Sequence, residues 1–161
     1  MIHIARESIR TCLDEAKPLL AKHWREVALY QDDVPLDPDF DRYLRCDADG
    51  TMLTLTARDD GRLIGYSVFI LFQHIHYRSC LVATNDVLFL DRDYRSGTTA
   101  GIRLLRESEA ELSRERDRRG AEQIRVVWHV KPKNDWSPIL ARLGYMQEEI
   151  IMGKLIGHSG E

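Results

Sequence analysis

The sequence predicts an α/β (α+β) sandwich in which a mixed sheet carries helices on both faces, and three observations lead there. Two β-rich apolar runs, Thr51 to Ala57 and Leu63 to Phe72, flank the turn Arg58-Asp59-Asp60-Gly61, the pattern of a hairpin. A further run, Leu81 to Leu90, is apolar at both ends and polar in its middle, at Thr84-Asn85-Asp86. Between it and the apolar run Gln123 to Val130 lies a long amphipathic stretch, so a helix joins two strands of one sheet.

A short apolar start, Ile2 to Ala5, reads as a strand. Ser8 then caps a helix in which Ile9, Leu13, Ala16, Leu20, Trp24 and Val27 recur at helical spacing. Pro18 lies inside that helix and predicts a kink or a split near Lys17, because proline removes a backbone donor and crowds the preceding turn. Gln31 to Pro38, acidic and with two prolines, reads as an exposed loop before a short helix around Asp39 to Arg45. After the three strands, Thr98 to Arg118 forms the long helix, with Ile102, Leu105 and Leu112 on one side and Gly120 closing it. Gln123 to Val130 is a strand, Trp136 to Leu143 a short helix stopped by Gly144, and Glu148 to Ile156 a last strand.

Composition narrows the function. The 161 residues suit one domain, 1–161, with 43% hydrophobic and 30% charged residues. The 23 Lys and Arg against 26 Asp and Glu give a charge of −3, which offers no footprint for a nucleic-acid backbone, so none is expected as partner. The chain has no membrane-length apolar run and its start, MIHIARESIR, is charged where a signal peptide would be apolar, which predicts a cytoplasmic protein without membrane attachment. Cys12, Cys46 and Cys80 are odd in number and lack a CxxC spacing, so reduced thiols are expected in place of a disulfide framework or a zinc site.

The chemistry concentrates where the strand ending Leu88-Phe89-Leu90 runs through Asp91-Arg92-Asp93-Tyr94-Arg95-Ser96-Gly97-Thr98-Thr99-Ala100-Gly101 into a helix. Free N–H groups at a helix start, together with the helix dipole, form a receptor for phosphate. Gly97 and Gly101 permit close backbone approach, and Arg95 adds a positive charge. An ordinary strand-to-helix connection capped by Thr is the plain alternative.

LFLDRDYRSGTTAGIRLL resembles the phosphate-binding motif of the GNAT superfamily of acetyl-CoA-dependent acyltransferases: a strand end, the Tyr94-Arg95 pair, the glycines and Leu104-Leu105. The loop is one residue longer than the motif. Counting from Arg95 puts Thr98 and Ala100 at the motif's glycines, whereas counting back from Leu104-Leu105 favours Gly101. Ile124 to Val130, Asn134 and Ile139-Leu140-Ala141-Arg142-Leu143-Gly144-Tyr145 look like the family's next strand, its Asn and its closing helix. The similarity extends to small phage or prophage-type members. It implies a GNAT fold with a mostly antiparallel sheet, acetyl-CoA as cofactor, and an N-acetyltransferase acting on a small-molecule amine or on a protein lysine or N-terminal amine. Its phosphates would lie on Arg95, Ser96, Gly97, Thr98, Thr99, Ala100 and Gly101. Its pantetheine arm would meet the backbone of Leu88, Phe89 and Leu90, with Asn134 opposite. The family often forms homodimers.

Amine acetylation needs a group that lets an ammonium lose its proton. Strand alternation puts Thr84, Asp86, Leu88 and Leu90 on one face, and the resemblance implies that Asp86 is the base. An Asp at a bulge, or paired with Arg78, is the structural alternative. His76, with His74 at the end of the preceding strand, is the second candidate, and an H-x-H metal pair completed by Asp86 or His129 is a further reading. No metal is the expectation. Leu140 stands where many family members place a Tyr general acid, leaving Tyr145, Tyr77, Ser137 or water as substitutes. That departure supports an alternative of a different class, a non-catalytic GNAT-like module that binds CoA or a protein partner. Asp32, Asp33, Asp37, Asp39 and Asp41 create a local negative field suited to a cationic acceptor.

Overall fold

The computed structural model of the protein describes residues 1–157. Five strands pair in chain order: β1 (Ile2–Arg6), β2 (Met52–Asp59), β3 (Arg62–Gln73), β4 (Cys80–Leu90) and β5 (Gln123–Val127). The first four are antiparallel and β5 joins β4 in parallel, so the sheet is mixed and mostly antiparallel. Helices α1 (Ile9–Val27) and α2 (Phe40–Asp49) cover one face, and α3 (Ala100–Arg118) covers the other. A short α4 (Ser137–Arg142) follows β5.

The α1–α2 face buries Ile9, Cys12, Ala16 and Leu19 against Met52, Tyr66, Val68, Val87 and Phe89. The opposite face packs Leu104 and Leu112 of α3 on Leu53, Leu55, Phe69, Leu71 and Ala83. The α1 helix runs unbroken through Pro18. Buried side chains on both sides of the proline, Ile9, Cys12 and Ala16 before it and Leu19 and Val27 after it, hold the two halves on one surface, which outweighs the missing bond. Asp39 caps α2 by accepting the N–H of Arg42 at 2.9 Å, and α2 runs on to Asp49 before Gly50 stops it in the left-handed region, φ 75°.

Arg6 on β1 and Arg114, Arg118 and Arg119 on α3 surround the buried carboxylates of Glu111 and Glu115. This cluster clamps the first strand to the far end of α3.

Two further expectations are corrected. Glu148 to Ile156 is not a strand: it makes no backbone ladder with β5, and Ile150, Ile151 and Met152 are exposed. Its adjacent isoleucines would point to opposite faces and Gly153 weakens a strand, while Arg125 of β5 holds Glu148 and Glu149 through side chains instead. The second concerns β5, which ends at Val127 and not at Val130: its ladder with β4 stops at Thr84–Val127, just before the irregularity in β4 at Asp86.

Candidate functional site

The β4–β5 ladder ends at the pair Thr84–Val127, after which the strands separate. A cavity of about 330 Å³ opens in the gap, walled by His23 and Val27 of α1, Thr84 to Asp86 and Leu88 of β4, and His129, Lys131, Asn134 and Trp136 beyond β5. Lys133 donates to the carbonyl of Ala28 at 2.8 Å and so ties the far wall to the end of α1.

A β-bulge shapes the near wall. Val68 pairs with Val87 but Phe69 pairs with Asn85, which leaves Asp86 as the extra residue. The amide of Asn85 is buried and donates to the carbonyl of Val87 at 2.9 Å, holding the bulge. Simple alternation therefore fails here. Val87 and Phe89 face α1, whereas Leu88 and Leu90 pack toward α3. Asp86 is exposed on the α1–α2 side and accepts the hydroxyl of Tyr43 at 3.0 Å. Burial, and then the charge of Asp86, push the Tyr43 hydroxyl well above its ordinary pKa, so it stays a donor.

Of the two base candidates, the structure brings only Asp86 to the cavity. His74 and His76 lie beyond β3 in the exposed hairpin loop, where the N–H of His76 donates to Nδ1 of His74 at 3.0 Å. Asp86 sits five residues into β4 from Leu81, the last pair before that loop, or roughly 17 Å away at ~3.4 Å per residue. The sequence placed His76 at a strand end; its strand points the wrong way. Among the described residues, no three His, Cys, Asp or Glu side chains gather as a metal site, and His129 is engaged elsewhere, its Nε2 2.8 Å from Thr84 Oγ1.

His23 is the residue that sequence reading missed. It occupies an ordinary position of an amphipathic helix, and nothing local marks it. In the fold its ring lies 5.8 Å from that of Phe89 and lines the cavity with Asp86. Burial holds its pKa below the ordinary histidine value, against a smaller opposing pull from Glu26.

At the same end of β4, the chain passes through a 3₁₀ turn (Arg92–Tyr94) into the loop before α3. Gly97 adopts φ 73°, which favours glycine. Thr98 accepts the N–H of Ala100 at 3.2 Å, and α3 starts at Ala100 in place of Thr98. Among the described residues, the N–H groups of Ser96, Gly97, Thr98, Thr99, Gly101 and Ile102 have no hydrogen-bond partner. They form a concentration of free donors at a helix start. Arg95 does not point its charge freely: Nε donates to Leu90 O at 2.7 Å and the guanidinium pairs with Glu26 at 2.7 Å. It fastens the loop to both β4 and α1.

The Asp91 N–H donates to Ile64 on β3, so alternation turns the main-chain groups of Leu88 and Leu90 toward the cleft and those of Phe89 toward β3. The carbonyl of Leu90 is taken by Arg95, leaving Leu88 as the free edge. Asn134 stands on the opposite wall. Leu140 is buried in α4, with its carbonyl accepting the N–H of Tyr145; burial raises the Tyr145 hydroxyl's pKa.

No protein-family model matches the sequence, and no curated protein matches it either. Solved structures do match its fold. A ribosomal-protein-alanine N-acetyltransferase from Brucella melitensis biovar Abortus 2308 is 20% identical, covering 98% of this chain and 99% of its own, with a TM-score of 0.73. A GCN5-related N-acetyltransferase from Ralstonia eutropha JMP134 is 18% identical over 98% of this chain and 100% of its own, also with a TM-score of 0.73. AAC(6')-Iy in complex with the bisubstrate analogue CoA-S-monomethyl-acetylneamine is 19% identical over 98% and 99% of the two chains, with a TM-score of 0.63. The fold is that of the GCN5-related N-acetyltransferases, as the motif resemblance implied.

Proposed function

We propose that this protein transfers the acetyl group of acetyl-CoA to a primary amine. One observation carries the reading: the opened strand edge, the cavity and the free loop donors all lie at the C-terminal end of β4. The residues fit such a donor substrate. Six N–H groups between Ser96 and Ile102, without partners among the described residues, suit a pyrophosphate, and the edge at Leu88 suits an extended amide arm that pairs as an added strand would. Arg95 supports that cradle by fixing its position, and Asn134 stands across the cleft.

When bound, acetyl-CoA supplies an activated thioester. The chain's own part is to hold the acceptor. Asp86, exposed at the cavity and oriented by Tyr43, meets an ammonium group with opposite charge. The acceptor is a small-molecule amine or a protein amine; the named neighbours act on a ribosomal protein or, for an aminoglycoside acetyltransferase from a soil metagenomic sample crystallised with sisomicin, on an aminoglycoside.

Isothermal titration with acetyl-CoA, followed by thiol release with polyamines, amino acids, aminoglycosides and lysine peptides, tests the proposal. Saturable binding and thiol release with at least one amine are expected. No binding at millimolar ligand refutes it, and binding without release by any amine assigns the protein to the non-catalytic CoA-binding class instead.

A further inference from the structure

We infer that His23 is the group that takes the proton from the acceptor ammonium, and that Asp86 holds the ammonium's charge beside it. The inference rests on the acetyl-transfer reading and assigns a role within that same site.

Placement comes first. His23 and Asp86 reach one cavity from α1 and β4, and the His23 ring is seated against Phe89, three residues beyond Asp86 on the same face. Availability comes second. Among the described residues neither ring nitrogen of His23 has a hydrogen-bond partner, so in the neutral ring one lone pair is free. The other histidine at the cavity, His129, is tied through Nε2 to Thr84 Oγ1, and Asp86, which accepts the Tyr43 hydroxyl on Oδ2, keeps its other oxygen for the ammonium.

The surroundings suit a proton that arrives and leaves. Burial keeps the ring neutral near pH 7, and the charged groups facing it divide by sign: Glu26 of α1 and Asp86 of β4 favour the imidazolium, while Arg95 before α3 and Lys131 beyond β5 oppose it. A neutral imidazole accepts a proton, and the resulting cation then finds two carboxylates. Imidazole is the side chain that changes protonation near neutrality, as a base must do in each turnover.

In the step itself, one N–H bond of the ammonium breaks and its proton joins the imidazole lone pair. The amine lone pair so released forms the new C–N bond as the thioester's C–S bond breaks. The nitrogen's second proton goes to the departing thiolate, and the imidazolium returns its proton to solvent. Amide, thiol and one proton leave, which balances ammonium and thioester.

Two measurements test this. NMR titration of the histidine rings in the free protein needs no turnover: His23 should titrate below ~6.5, and lower still in Asp86→Asn, since that carboxylate favours the cation. Titration at or above 6.5, or no response to Asp86→Asn, overturns the pairing. In the thiol-release assay, His23→Gln should lower kcat by about 10²–10⁴ and remove the acid limb of the pH–rate profile, with CoA binding by calorimetry preserved. Unchanged kcat and acid limb in His23→Gln overturn the role while leaving acetyl transfer intact. Silence of the wild type with every amine overturns acetyl transfer and the base role together.

Discussion

Replacing Glu115 by Gln removes the negative centre of the cluster that clamps β1 to α3. Its side chain is only 8% exposed, and burial alone would raise its pKa; hydrogen bonds from Arg119, Arg118 and Arg6 outweigh that cost and hold it down at about 2, from 4.5. Arg6 and Arg118 approach it at 2.8 Å and 2.6 Å. At ~1.4 kcal/mol per pKa unit, the ionised group contributes roughly 3 kcal/mol at neutral pH. Because the folded pKa is depressed, that stability is fully present above about pH 5 and is lost as pH falls toward 2. Glu115→Gln should therefore lower Tm by roughly 6–12 °C at pH 7, taking 2–4 °C per kcal/mol for a chain of this size. Thermal unfolding of both proteins between pH 7 and pH 3 is the assay, and the gap should narrow steadily below pH 5. A variant within about 0.5 kcal/mol of wild type at pH 7, or a gap that does not change with pH, would refute the electrostatic account. Glu111 shares Arg6 and Arg118, so the double variant should lose less than the sum of the singles.

Asp86→Asn should raise the acceptor KM by about 10- to 100-fold, the cost of a charge-assisted hydrogen bond, while acetyl-CoA affinity stays constant; an unchanged acceptor KM argues against an ammonium at Asp86. Gly65→Ala would place a Cβ 2.6 Å from the carbonyl oxygen of Phe89, so unfolding should show a loss of about 1–3 kcal/mol, and wild-type stability would contradict that close approach of β3 to β4. Arg95→Ala should weaken acetyl-CoA binding, and Glu26→Gln should do so to a lesser degree, because both release the loop tether. Calorimetry that finds Glu26→Gln at full affinity and Arg95→Ala impaired would exclude the Glu26 pairing as the contribution and leave the bond to Leu90 or a direct contact with phosphate.

Much of the architecture was legible because it is written in local periodicity. The hairpin around Asp60-Gly61, the long helix closed by Gly120 and the turn before it each depend on neighbours within a few residues; each formed, although the helix starts at Ala100 in place of Thr98 and leaves Ile102, read as part of its apolar side, exposed. The tail from Glu148 was misread for the complementary reason: apolar content shows that a segment can be a strand, but only an adjacent edge can make it one.

The site divides in the same way. By itself the sequence determined the α/β class, the order of the elements as far as the last helix, and Asp86 and Asn134 as residues of interest, since their positions follow from strands and motif spacing. Only the tertiary structure decided that Asp86 is the extra residue of a bulge, that Arg95 is bound to Glu26 and Leu90, that His76 lies at the wrong end of its hairpin, and that His23 faces the cavity. Periodicity places a side chain on a face of its own element. Which elements meet, at what register, and where two strands part depends on packing between segments tens of residues apart, and no local pattern encodes it.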